Sequence, residues 1–344
     1  MSHTPKAPAG TSTPAHLSGD EPQGSRLSYL PISFFAMVMG LAGLTIAWAK
    51  AGHVLGLDPG VALGLLVATT ITFAALLGLY AAKFVLHRHE VIAELGHPVK
   101  ISFFPTIAIS FLLLAIATLA VDTGSASTLI ARGEWLLGTV LLFGATLHIL
   151  SLWMHHDRFR VHHLNPAWFI PAVGNVVVPV AGVPLGYIEI SWFFFSIGIV
   201  LWIVLLTLVL YRMFFHDPIE ARLLPSLFIL IAPPAVGFIA LTRLQGELDA
   251  DGRVLYFFGL FMAFVVLSQA RRFVRLPFGL PAWAYSFPLA AITIATLLMY
   301  ELTDVDAYRW LGVAFLVLLN VVVTALLVRT FVAVRNRQIC VPGT

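Results

Sequence analysis

Residues 281–300 read PAWAYSFPLAAITIATLLMY, twenty positions without one Asp, Glu, Lys, Arg or His, opened by Pro281 and interrupted by Pro288. A helix needs about 20 consecutive apolar residues to cross about 30 Å of hydrocarbon, and this stretch has that length. Pro288 lacks the N–H for its i−4 bond and pushes the carbonyl of Ala284 aside, so in lipid the freed group needs protein or a water-filled cavity as its partner. The stretch reads as a membrane-spanning helix, kinked, and turned toward other protein.

The rest of the chain repeats this unit. Apolar runs fall at about 30 to 50, 61 to 85, 101 to 121, 133 to 154, 166 to 183, 190 to 214, 224 to 242, 254 to 274, 281 to 300 and 308 to 332. The odd-numbered runs are entered at Pro31, Pro98, Pro166, Pro225 and Pro281, at separations of 67, 68, 59 and 56 residues. Four of the five then carry interior prolines, at Pro105, at Pro171 with Pro179, at the pair Pro233 and Pro234, and at Pro288, and the even-numbered runs carry none. The pattern predicts an all-α integral membrane protein of ten transmembrane helices in five hairpins. Five Pro-kinked helices are expected to form an inner ring around a central pore, with five straight helices facing lipid.

Composition agrees. Of 344 residues 59% are hydrophobic and 11% charged, against about a quarter charged in a soluble domain, which excludes a water-soluble enzyme. The net charge of +3 is read against the membrane and not against nucleic acid. A single cysteine, Cys340, excludes an intrachain disulfide and thiol metal clusters. Residues 1–29 hold four prolines among Ser, Thr, Gly and His and are expected to be a disordered cytoplasmic tail. Residues 30–334 form the channel domain and 335–344 a short cytoplasmic tail. The first apolar run lacks a signal-peptide pattern and is expected to be retained.

Ionisable residues within spans usually mark ion or proton pathways. The spans contain almost none: His148 lies inside the straight fourth segment, while Arg132, Glu134, Glu189, Glu301 and Arg309 fall at or near segment ends. A proton-coupled carrier needs a titratable group in its path, so a passive conduit is favoured and no cofactor is called for. His87, His89, His155, His156, His162 and His163 raise the alternative of a membrane di-iron enzyme. Their i, i+1, i+7, i+8 spacing does not build convergent metal boxes, and they read as interfacial histidines. Phe287 stands apart from the other phenylalanines because it precedes Pro288, where a kink directs a side chain toward the axis.

Trp283-Ala284-Tyr285-Ser286-Phe287-Pro288, His97-Pro98-Val99-Lys100-Ile101-Ser102-Phe103-Phe104 and Asn165-Pro166 with Pro171 resemble the TehA-like tellurite-resistance/dicarboxylate transporter family, which also holds the slow-type anion channels of plant guard cells. The likeness runs from about Leu30 to Phe331. It implies a homotrimer in the inner membrane, each protomer conducting small anions (chloride, nitrate, with malate or sulfite as further candidates) through a pore closed by Phe287. It also implies that Ala36, Gly40, Pro105, Pro171, Pro233, Pro234 and Pro288 line or kink that pore. Relatives tend to read Phe-Gly where this chain has Phe35-Ala36, which adds a methyl beside the axis, and a proline common in that first helix gives way to Met37-Val38-Met39. Freed carbonyls favour cations, so the sign of the ion comes from the likeness alone. The alternative within the same fold is a carrier of C4-dicarboxylates, sulfite or tellurite.

Lys and Arg sort into 15 on the side of the N-terminus and 5 on the other, which places both termini in the cytoplasm. A reporter that fluoresces only in the cytoplasm, fused after Val334, should light up. An active reporter of the outside at that position would overturn the ten-span topology.

Overall fold

The computed structural model describes residues 25–122, 124–155 and 160–341. Most of the expected tail (1–24), and His156 and Arg158, lie outside the described residues. The described chain is helical, in the order α1 (Phe35–Leu55), α2 (Pro59–Leu86), α3 (Arg88–Gly96), α4 (Pro105–Val121), α5 (Ser125–His155), α6 (Phe169–Val173), α7 (Val178–Gly182), α8 (Ile188–Phe215), α9 (Ala232–Gln245), α10 (Ala250–Leu267), α11 (Ala270–Val274), α12 (Ser286–Thr303) and α13 (Asp306–Arg335).

Nine segments among the described residues are long and apolar enough to cross a membrane, and the chain is a multi-pass membrane protein. The fifth expected run, Pro166–Gly182, is shorter. It is cut into α6, a 3-10 turn at Gly174–Val177 and α7, because Pro171 and Pro179 each remove a backbone donor. The carbonyl of Pro171 takes the Thr146 hydroxyl of α5 at 2.7 Å instead.

Burial alternates as the prolines do. The segments Ile32–Leu55, Lys100–Val121, Ala221–Gln245 and Leu280–Thr303 are 67 to 83% buried, whereas those containing α2, α5, α8, α10 and α13 are 22 to 33% buried. The mechanism of the kink differs from a bent α-helix. Each inner segment starts as a 3-10 turn, at Ile32–Phe34, Lys100–Phe103, Pro166–Trp168, Ala221–Leu230 and Leu280–Tyr285, and only then becomes α. Pro105 opens α4, Pro233 and Pro234 lie in the first turn of α9, and Pro288 is the third residue of α12. At a helix start the missing N–H is one that has no intrahelical partner anyway, so proline marks the change of helix type at little cost. The first segment makes the same change without an interior proline.

Close approach of the helices rests on small residues, as it must where lipid supplies no hydrophobic drive. A Cβ on Gly40 of α1 would stand 2.1 Å from Ser286 Oγ, and one on Gly43 would stand 2.7 Å from Ala290 Cβ, both on α12. Outer helices dock on their own inner partners in the same way. Gly138 of α5 meets Ala108 and Leu112 of α4, Gly198 of α8 meets Val176, Gly259 of α10 meets Ala235 of α9, and Gly312 of α13 meets Leu297 of α12.

The ends are fixed by polar contacts. Asp58 caps α2 through Gly60 N at 2.8 Å, and Asp249 caps α10 through Gly252 N at 2.7 Å. That bond holds the Asp249 carboxyl below its ordinary pKa, with help from Gln245 and against a smaller opposing effect of desolvation. Arg26 donates to the carbonyl of Val334 at 3.2 Å, so the chain's two ends meet on one side. At the entry to the first segment Lys83 is 1% exposed. Its Nζ donates to the Leu30 carbonyl at 2.8 Å and lies 3.2 Å from Glu94 Oε2, which also accepts from Tyr80 OH at 2.8 Å.

Removing one partner of a buried ion pair strands the other charge, at a cost of about 3–5 kcal/mol. Glu94→Ala should therefore lower the thermal unfolding midpoint of the detergent-purified protein sharply. Lys83→Met with Glu94→Gln, which removes both charges and keeps an acceptor for Tyr80, should recover most of the loss. Equal losses in the single and double variants would show that the charges are not what matters there.

Candidate functional site

The five inner segments close a ring. α1 lies against α4 and α12, α4 against α7 and the 3-10 turn at Gly174–Val177, those against α9, and α9 against α12. Within the ring is a cavity of about 80 Å³ to which every inner segment contributes. Ala36 and Met39 come from α1, and Phe103 and Ile109 from the second segment. Ile170 and Val173 come from the third, Pro233 and Val236 from the fourth, and Phe287 and Pro288 from the fifth.

No titratable side chain lines this cavity among the described residues. Polar groups close to it are consumed locally, because in hydrocarbon an unpaired donor is costly. The Thr106 hydroxyl donates to the carbonyl of Phe103, three residues back in the same segment. The Trp283 indole N–H turns outward to Thr330 Oγ1 of α13 at 3.0 Å. Deeper in the ring, Thr45, Ser110, Thr293 and Thr296 return their hydroxyls to carbonyls four residues earlier. What is left facing the axis is hydrocarbon, with the partly exposed Phe287 ring beside Pro288.

Of the residues singled out by sequence, Phe287, Ala36, Pro233 and Pro288 border the cavity. The others sit elsewhere for identifiable reasons. Gly40 faces Ser286 and Trp283 at the α1–α12 contact, where it removes bulk between helices. Pro105 borders a separate cleft with Ala108, Ala145 and His148 between α4 and α5. Pro171 is buried within α6, and Pro234 turns toward Gly259 of α10. Met39, Phe103 and Ile109 were not found by sequence reading. A signal existed for Met39, three residues past Ala36 on the same helix face, but a 3-10 start shifts that face for Phe103.

Charge gathers at the two ends of the ring. On the side of the chain ends, His97 precedes the second inner segment and its Nδ1 accepts from Val99 N at 3.1 Å and Lys100 N at 3.3 Å. Burial and the neighbouring Lys100 hold His97 below the ordinary histidine pKa, in keeping with a ring nitrogen that accepts. At the other end Lys50 of α1 pairs with Glu301 of α12, and His53 Nε2 lies 3.3 Å from the second carboxylate oxygen. Sequence reading put Glu301 near a segment end without joining it to Lys50 or His53; α1 and α12 continue past the apolar runs and bring them together. Among the described residues no three histidine, cysteine or carboxylate side chains gather as a metal site.

Known proteins similar to this chain include transporters and anion channels. The chain is 25% identical over 302 residues to an uncharacterized transporter of Methanocaldococcus jannaschii, covering 81% of this chain and 87% of that one. It is 26% identical to a tellurite resistance protein TehA homolog of Haemophilus influenzae, covering 79% and 82%. It is 27% identical over 308 residues to the S-type anion channel SLAH3 of Arabidopsis thaliana, covering 88% of this chain and 48% of the longer plant protein. The profile of the SLAC1 family, voltage-dependent anion channels, matches residues 29–331, and with nine helices among the described residues long and apolar enough to span the chain belongs to that family of membrane anion channels and transporters.

Proposed function

We propose that the protein is a passive, gated anion channel of the inner membrane, with ten spans, both termini cytoplasmic, and conduction of small anions such as chloride and nitrate through each protomer of a homotrimer. The observation that carries this reading is the cavity shared by all five inner segments, apolar throughout and bordered by the Phe287 ring. Bulk alone can close such a passage, because a constriction of hydrocarbon expels water and so raises the barrier for any ion. Phe287 is the partly exposed aromatic ring of α12 at that level, and Pro288 follows it directly in the first turn. Family membership supports the sign of the ion; the tellurite resistance named for the Haemophilus relative, and the C4-dicarboxylates and sulfite that the sequence resemblance implies, keep a carrier of the same fold as the reading to be beaten.

Replacing Phe287 with Ala removes most of a ring and leaves the 3-10-to-α junction intact. Current per protein at the surface should rise severalfold, and Phe287→Leu should give a smaller rise. Phe194 of α8 is buried against Phe143 of α5 at 5.7 Å between ring centres, so Phe194→Ala should cost about 3–5 kcal/mol of stability without raising current. Equal currents per protein in the parent and both Ala variants would remove Phe287 from the gate.

A passage without titratable lining should not couple to protons. In liposomes, anion flux should follow the imposed electrochemical gradient, and a pH step at fixed potential should drive no uphill accumulation. Concentration of malate or nitrate by a proton gradient alone would make the protein a carrier and would turn attention to His148.

A further inference from the structure

Ala36 on α1, Val236 on α9 and Phe287 on α12 mark the cavity-facing stripes of three neighbouring inner helices. An α-helix turns about 100° per residue, so seven positions return to within about 20° of a direction and fourteen to within about 40°. Lys50 lies fourteen positions beyond Ala36, Glu301 fourteen beyond Phe287, and Arg243 seven beyond Val236. All three charges therefore continue the stripes that line the cavity. Lys50 lies about 21 Å further along α1 than Ala36, at the end of the ring opposite the paired chain ends.

Two of the three groups also meet in space. Lys50 Nζ is bonded to the Glu301 carboxylate, with His53 beside its other oxygen, and Arg243 is near enough for its charge to bear on Lys50. This pair differs from the one at the opposite end. Lys83 is also held by a backbone carbonyl and Glu94 by a tyrosine hydroxyl, and both are sealed from solvent. Among the described residues Lys50 and Glu301 show hydrogen bonds only to each other. Their side chains are 15% and 34% exposed, so the carboxylate is the outer member, the one closer to water.

We propose that Lys50 and Arg243 form an anion-binding station at this mouth, and that Glu301 is a tethered carboxylate occupying it at rest. Resting on the conduction reading above, the station takes a small monovalent inorganic anion such as chloride or nitrate. The entering anion replaces one negative charge by another on Lys50, so the exchange leaves the cluster's charge balance unchanged and Glu301 swings outward past His53. A carboxylate anchored on the neighbouring helix acts at high effective concentration. It therefore sets how much anion is needed on that side to fill the mouth.

The test is the dependence of current on chloride concentration, varied separately on each side of a planar bilayer, in the wild-type and Phe287→Ala backgrounds. Glu301→Gln should lower the half-saturating chloride concentration on the Lys50 side by about threefold to tenfold and leave the other side unchanged. Lys50→Met should raise it on that side, and Lys50→Arg should restore it. Adding Glu301→Gln to Lys50→Met should then have no further effect. If Glu301→Gln lowers thermal stability and leaves half-saturation unchanged, or shifts both sides equally, the pair is only a staple between α1 and α12 and the proposal fails. Anion current in Phe287→Ala with a silent Glu301→Gln would sink this inference alone; no anion current in either background would sink the conduction reading with it.

Discussion

Everything in this fold follows from the requirement that no backbone polar group be left unpaired in hydrocarbon. Proline breaks that rule wherever it interrupts a helix, so its placement sorts the helices. Segments with interior prolines are confined where protein surrounds them, as is the first segment, which makes the same 3-10-to-α change without one, and the straight even-numbered helices are free to face lipid. The burial of the two sets follows this division, two-thirds or more for the four long inner segments and a third or less for the outer ones. The ring around an axial cavity is the packing that lets five such segments shelter one another.

The same requirement strips the axis of chemistry. Hydroxyls on the inner helices turn back onto their own carbonyls, and the indole of Trp283 is engaged by α13. With these donors satisfied inside their own helices or by a neighbour, the surface left facing the cavity is almost wholly aliphatic and aromatic. Paired charge gathers instead at the two ends of the ring. One mouth holds a sealed lysine–glutamate pair that fastens helices, and the other an accessible pair on the lining stripes.

Sequence periodicity pointed to the apolar runs, the alternation and the place of Phe287 because each is written in local features: a run length, a proline, a residue beside a proline. The likeness to the tellurite-resistance/dicarboxylate transporters, carried by the stretch around Trp283 and Pro288, agrees with the family match over residues 29–331. What local features could not give was contact between distant segments. Gly40 looked like part of the axis and is a seat for Ser286, since a glycine's role depends on what stands opposite it. Lys50 and Glu301 lie 251 positions apart, and no spacing rule joins them. The prolines were read as kinks in α-helices, whereas they stand at or near starts, because a 3-10 turn and an α-helix are equally apolar in sequence.

The seating of α1 on α12 has a mechanical side. Gly40 and Gly43 leave no slack between these helices on either side of the level of Phe287, and interiors packed this closely resist compression. A wall that cannot breathe leaves rotation of the ring about its own side-chain bonds as the cheap motion at that level. Such rotations are far faster than helix displacements, so the passage would behave less like a door on a hinge than like a shutter in a rigid frame.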